Sequence, residues 1–394
     1  MSKETTTQVL SLVSGKGGSG KTALAIGAAR MLALLGYKTL LVDFDFKTHG
    51  LSYFFEGFAK KQSGRGFLDM ASSLTEPSFL GLLSPVAQQA REDFKAKVQR
   101  HDLRVHIDEW LDVLLSRVKF KVPGRTERPS DNEFLVSTFA ATIEQHRGVY
   151  SYIIIDNEAG PSGSVSCALR MSDRSVVVAE PDSISIAAAR NFEYALSEDL
   201  TEHKSFLLNK VFPEESSNVE AISDYLRLFD HLTPVPFDFE VRRLFSLKQL
   251  PFDSKIPTVY GVSIIRFLQE TFPELAHELK ARAEQEYAEH YGKLEAQRRR
   301  ALRDMRFGKG IRVGFMAAFA VVVGSTFYFV SQSFKSGFSA GLKADQMLAM
   351  MFTLIVAALF GFLWQMPGFG RSVRELRAEI KKIESLLQLR ERPH

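Results

Sequence analysis

The sequence predicts an α/β fold, a mostly parallel sheet flanked by helices, followed by a two-helix transmembrane hairpin and a short terminal helix. Three observations carry this expectation. Short β-rich runs alternate with helical stretches between about residues 8 and 270, a glycine-rich phosphate motif joins the first run to the first helix, and two long uncharged runs stand near the C-terminus. Alternating strands and helices bury their apolar faces best as a parallel sheet covered on both sides.

The bulk composition is that of a folded protein. With 394 residues, 45% hydrophobic and 24% charged, the chain is neither disordered, collagen-like nor a small disulfide scaffold. Its one cysteine, Cys167, forbids an intrachain disulfide or a cysteine-cluster zinc site and reads as a core residue. A net charge of +4 is too small to imply nucleic acid. The mean hydropathy of −0.06 averages two unlike parts.

In chain order, the β-rich runs are VLSLVSG, TLLVDFD, YIIIDNE, SVVVAEP and KSFLLNK, each bounded by Gly, Asp, Asn or Pro. Helices are expected at Thr22–Leu35 and Ile186–Ser197. Residues 60–130 are more charged and read as a helical elaboration with a loop at VPGRTERPSDN. Together these make a first domain, residues 1–272. A helix rich in Ala, Glu, Lys and Arg then forms a basic juxtamembrane segment over 273–310.

No residue is charged from Val313 to Phe334, or from Gln346 to Gly370. A spanning helix needs about 20 mostly apolar residues, which places spans at 311–332 and 346–366 around a connector at 333–345. Basic residues crowd the outer flanks, from Lys293 to Arg312 and from Arg371 to Lys382, whereas the connector holds only Lys335 and Lys343. The positive-inside rule then puts both termini in the cytoplasm and the connector outside. The opening MSKETTTQVL has no signal-peptide layout, so the expected location is the inner or plasma membrane, with two passes. Over 371–394, Val373, Leu376, Ile380, Ile383 and Leu387 follow the 3-4 spacing of an amphipathic or coiled-coil helix.

Right after the first strand come Gly15, Lys16, Gly17, Gly18, Ser19, Gly20, Lys21 and Thr22. This is the phosphate loop of a P-loop NTPase, in the strand–loop–helix setting it requires. Its backbone N–H groups and the helix dipole cradle phosphates, Lys21 reaches the β- and γ-phosphates, and the Thr22 hydroxyl takes Mg²⁺. Asp156 closes an apolar strand, where it can hold a metal-bound water. Asp43 and Asp45, two apart at a strand end, point to one face. Asn209 carries the donor and acceptor that match the adenine edge.

The loop Lys16–Thr22, with its second lysine, resembles the deviant Walker A motif of the ParA/MinD family of ATPases. The resemblance continues in order through Asp43-Phe44-Asp45 (switch I), Asp156-Asn157-Glu158-Ala159-Gly160 (switch II), Leu207-Leu208-Asn209-Lys210, and Pro234-Val235-Pro236-Phe237-Asp238. It implies ATP and Mg²⁺ as cofactors, an ATP-dependent homodimer in which Lys16 reaches the partner's nucleotide, and slow hydrolysis. It also implies that Asp45 orients the attacking water, that Asp43 supports the metal with Thr22 and Asp156, and that Asn209 and Pro236 contact the nucleotide. Two departures stand out. Glu158 replaces a common proline, which would either alter the flexibility of switch II or place an extra acid near the γ-phosphate, and the loop Phe46–Gly50 lacks a proline and holds His49, read as a solvent-exposed loop histidine.

The resulting expectation is a membrane-anchored ATP-dependent dimerisation switch acting on an unidentified protein partner. Three alternatives stand against it, one of them a pseudo-ATPase scaffold that binds nucleotide without turnover, which Glu158 keeps open. A tyrosine-kinase-like protein of polysaccharide export is disfavoured by the lysine signature, the spans that follow the ATPase domain and the lack of a C-terminal tyrosine cluster. A membrane-tethered DNA-positioning ATPase is disfavoured because the basic cluster Arg298–Arg312 adjoins a span, where anionic lipid is the nearer partner.

Overall fold

The first strand, β1 (Gln8–Ser14), shows how the sheet is built. Leu10 and Leu12 face one side of it, while Val9 and Val13 face the other, and all four are fully buried. A strand covered on both faces reads as a nearly continuous apolar run rather than an alternating one. β5 (Tyr152–Ala159) obeys the same rule: Tyr152 and Ile154 join one core, Ile153 and Ile155 the other.

This is a computed structural model, and it describes residues 6–62, 64–70, 85–118, 132–212, 231–252 and 259–281, with isolated positions between 292 and 331. The chain divides into two units, Met1–His290 and Tyr291–His394. The first unit contains, in order, β1, α1 (Lys21–Leu34), β2 (Thr39–Phe44), α2 (Gly50–Lys61), α3 (Phe67–Met70), α4 (Pro85–Arg100), β3 (Arg104–His106), β4 (Leu111–Leu114), α5 (Glu133–Glu144), β5, α6 (Gly163–Arg170), β6 (Arg174–Ala179), α7 (Ser183–Ala195), β7 (His203–Val211), β8 (His231–Pro236), α8 (Phe239–Ser246) and α9 (Val259–Thr271).

Among the described residues the strands form one eight-stranded sheet, ordered β3-β4-β2-β5-β1-β6-β7-β8. Every pairing is parallel except β3 with β4. The expected parallel sheet with helices on both faces is therefore what forms. One face packs α1, α2 and α9 through residues such as Leu24, Phe55 and Ile264. The other packs α3, α4 and α5 around Phe67, Phe94 and Phe139, and then α6 and α7 around Val165 and Phe192. Cys167 is partly buried against that second core.

The region 60–130 differs from its expected all-helical form. It supplies α3 and α4, but also β3 and β4, which extend the sheet beyond β2. These strands are three and four residues long, too short to show a period-2 pattern. β3, the antiparallel edge, exposes His106, and short polar edges of this kind resist further pairing. The expected loop at 122–132 lies outside the described residues apart from Asn132, which caps α5 by accepting from Leu135 N–H.

In the second unit the described positions are isolated, and Arg299 pairs with Glu295 one helical turn away at 3.2 Å. Among the described residues no helix is long and apolar enough to cross a membrane. Most of 273–310 beyond residue 281, the spans expected at 311–332 and 346–366, the connector 333–345 and the tail 371–394 lie outside the described residues, apart from those isolated positions.

Candidate nucleotide site

Between β1 and α1 the loop is held by groups close in sequence. Ser14 Oγ donates to the Lys16 carbonyl (2.8 Å) and accepts from Lys21 Nζ (2.7 Å). Lys21 is thereby folded under the loop and buried. Burial pulls its pKa below the usual lysine value, against the opposing charges of Asp156, Asp45 and Glu158. Gly15 is required by close approach: a Cβ there would lie 2.1 Å from the Ala188 carbonyl oxygen of α7. Gly20 starts α1 in the left-handed region (φ 87°), beneath the Asn209 amide. Gly17 and Gly18 are exposed, and Ser19 Oγ is buried without a hydrogen-bond partner. Thr22 begins the helix with its hydroxyl against Gly50, the first residue of α2.

The acids lie on one face because the strands are in register. Asp43 of β2 sits beside Asp156 of β5, and Asp156 and Glu158, two apart, share a side of β5. Asp156 is 1% exposed and neither of its oxygens has a hydrogen-bond partner. Burial pushes its pKa up to about 7, opposed by Lys21 and the Thr22 hydroxyl and reinforced by Asp43 and Asp45. Glu158 is fully buried, also without a hydrogen bond, and its Oε1 forms an ion pair with Lys47 Nζ at 3.0 Å.

Asp43 is hydrogen-bonded through both of its oxygens. Its Oδ1 accepts from Asp45 N–H (3.1 Å), and its Oδ2 accepts from Ser52 N–H (2.9 Å), Ser116 Oγ (2.9 Å) and Ser52 Oγ. Burial raises its pKa to about 6, against the hydroxyls of Ser52 and Ser116. The carboxylate thus spends its lone pairs on Asp45 N–H, on the start of α2 and on Ser116, two residues past β4. Asp45 caps the next turn, with Oδ1 accepting from Lys47 N–H (3.0 Å) and Thr48 N–H (2.8 Å), and Oδ2 from Thr48 Oγ1.

His49 is not the exposed loop residue expected. It is 8% exposed, has φ 53°, and contacts Ser116 Oγ through Nδ1 at 2.8 Å. Burial, then Arg117, lowers its pKa to about 4. The β3–β4 insertion, invisible in the motif pattern, brings Ser116 in to enclose it.

At the far side, Asn209 reaches back to the loop. Its Nδ2 donates to the Ser19 carbonyl (2.8 Å) and so braces the phosphate loop. Lys210, given no role by the motifs, bridges Gly18 O and Glu180 Oε1, each at 2.6 Å, from a left-handed turn. Pro236 ends β8 opposite Val211. Lys16 lies on its own chain, 3.3 Å from Ser185 Oγ and 3.9 Å from Asp182 Oδ2, with 44% of its side chain exposed. Lys210, Lys47, Ser52 and Ser116 carry no motif spacing, and only the fold collects them.

A phosphate loop after β1, an orphaned acid on β5 and a parallel sheet between helices together describe a nucleotide-binding domain. The model of the CobQ/CobB/MinD/ParA nucleotide binding domain matches residues 10–252. The chain belongs to this ParA/MinD family. Among curated proteins it is 26% identical over 203 residues to an uncharacterised ATP-binding protein of Methanocaldococcus jannaschii, covering 52% of this chain and 64% of that one. A second uncharacterised protein of that organism is 26% identical over 188 residues, covering 46% of this chain and 62% of the other. The chain therefore spans less than two thirds of the length of either relative. Among solved structures, the ATP complex of Cyanothece McdA overlays with a TM-score of 0.50 at 13% identity, covering 68% of this chain and 96% of that one. That likeness is one of fold. The matched span includes the phosphate loop, α1 and the β2 and β5 ends.

Proposed function

We propose that the protein is an ATP-dependent dimerisation switch that hydrolyses ATP to ADP and phosphate and is fixed to the membrane by its C-terminal hairpin, where it controls or positions a partner protein. The observation that carries this reading is Asp156. A carboxylate 1% exposed with both oxygens unpartnered, beside Lys21 and the Thr22 hydroxyl, is satisfied by a cation brought with the phosphates. Among the described residues no group of three or more His, Cys, Asp or Glu could hold a metal alone. That suits Mg²⁺, which takes most of its ligands from phosphates and water.

Thr22 would hold the ion directly and Asp156 through water, while Asp43 holds the start of α2. Bound there, Mg²⁺ supplies charge neutralisation at the β- and γ-phosphate oxygens. The chain's own groups do the rest. Loop N–H groups and Lys21 bind phosphate, Asp45 orients the attacking water, and Lys16 swings from Asp182 to the partner's nucleotide. Asn209 and Pro236 line the base end. The membrane anchor is supported by the two uncharged runs and their basic flanks. DNA is not required by this reading.

The test uses the full chain in detergent, with ATP binding, dimerisation and phosphate release measured together. Lys21→Ala loses binding. Asp45→Ala keeps binding and dimerisation but stops turnover. Lys16→Ala binds ATP as a monomer and releases no phosphate; retained dimerisation and turnover in this variant refute the switch. Extraction of the chain from membranes by alkaline carbonate refutes the hairpin.

A further inference from the structure

Glu158 stands outside the motif roles and is the most deeply buried acid whose charge those roles leave unused. It is fully buried on β5, its oxygens have no hydrogen bond among the described residues, and Lys47 Nζ lies 3.0 Å from its Oε1. Lys47 belongs to the loop after β2, and its side chain is 42% exposed. The backbone of the same residue does something else: its N–H donates to Asp45 Oδ1 at 3.0 Å, next to that of Thr48 at 2.8 Å. A rigid acid on the central sheet, a lysine side chain and that lysine's own amide thus form one connected path to Asp45.

We infer that Glu158 is a positioning residue, which fixes the Asp45 carboxylate by anchoring Lys47 across the gap between switch II and switch I. Without Lys47 the buried Glu158 carboxylate would be left uncompensated, which holds the loop in this arrangement. The pair therefore keeps Asp45 in the place from which it orients the attacking water.

This inference rests on the hydrolytic role proposed for Asp45, and its test separates the two. In the nucleotide-free full chain, amide hydrogen exchange at Lys47 and Thr48 reports the Asp45 contacts without any turnover. Lys47→Met and Glu158→Gln should each speed that exchange about tenfold, the equivalent of about 1.4 kcal/mol of local opening. The double variant should be no faster than either single one, and Lys47→Arg should restore protection. With ATP, the same variants should lower kcat several-fold and leave KM near wild type. Unchanged exchange in Lys47→Met, or additive effects in the double variant, overturn the inference even if wild-type protein hydrolyses ATP and Asp45→Ala does not. Slow exchange restored by Lys47→Arg in a protein without ATPase activity overturns the hydrolytic role and leaves the anchor standing. Lys47→Met, altered at a half-exposed side chain, keeps the test valid should Glu158→Gln fail to fold.

Discussion

At the scale of single residues, the site is charged in a way that burdens the nucleotide-free protein. Asp156 has its pKa raised by burial to about 7, so the folded chain keeps a proton that the unfolded chain gives up near pH 4. Between those values the native state binds more protons, and stability falls as pH rises. Above pH 7 this one group costs on the order of 4 kcal/mol. Asp43, at about 6, acts in the same direction up to pH 6. His49, buried and lowered to about 4, acts oppositely between pH 4 and 6.5. Asp156→Asn should therefore raise the midpoint of thermal unfolding of the nucleotide-free chain at pH 8 more than at pH 5. It should also abolish the further rise given by ATP with Mg²⁺. A variant less stable than wild type at pH 8 contradicts this. Sterics make Gly15 a second point of sensitivity. With a Cβ meeting backbone at 2.1 Å, Gly15→Ala should cost about 1–3 kcal/mol in denaturant unfolding and weaken ATP binding, because the loop must shift from α7.

At the scale of elements, what the sequence revealed follows from burial. β1, β2, β5, β6 and β7 are central, packed on both faces, and therefore legible as unbroken apolar runs. β3 and β4 are short and lie at or next to the edge, so their polar residues conceal them. The phosphate loop was legible because its glycines are demanded locally, by the approach of α7 at Gly15 and the left-handed turn at Gly20. The contacts of Asp43, His49 and Asn209 were not, because their partners, Ser52, Ser116 and the Ser19 carbonyl, are chosen by tertiary packing. Tyr260 belongs with these. It is 3% exposed, and its hydroxyl donates to the Ala23 carbonyl at 2.6 Å, fastening α9 to the first turn of α1. Burial holds its pKa far above the ordinary tyrosine value, so it stays a donor at every working pH. Tyr260→Phe should lose about 1 kcal/mol, seen as a lower thermal midpoint, with the ATP dissociation constant raised through the loosened start of α1.

At the scale of the whole molecule, the proposed dimer needs Lys16 to leave its own chain. Its resting contacts, Ser185 Oγ at 3.3 Å and Asp182 Oδ2 at 3.9 Å, are those of a weak, half-exposed pair. Such pairs contribute little in water, so the resting position opposes dimerisation only slightly and salt should weaken it further. Asp182 also caps α7, accepting from Ile184 N–H (3.1 Å) and Ser185 N–H (2.9 Å), a duty asparagine performs about as well. Asp182→Asn therefore removes the charge that retains Lys16 without removing the cap. The ATP-bound dimer of the full chain in detergent should tighten, but by no more than about five-fold, the range open to an exposed ion pair. The gain should shrink at high salt and vanish in a Lys16→Ala background. Sedimentation of wild type and both variants with ATP, at low and high salt, measures this. A weaker dimer in Asp182→Asn would mean that Asp182 serves the interface itself rather than the resting state.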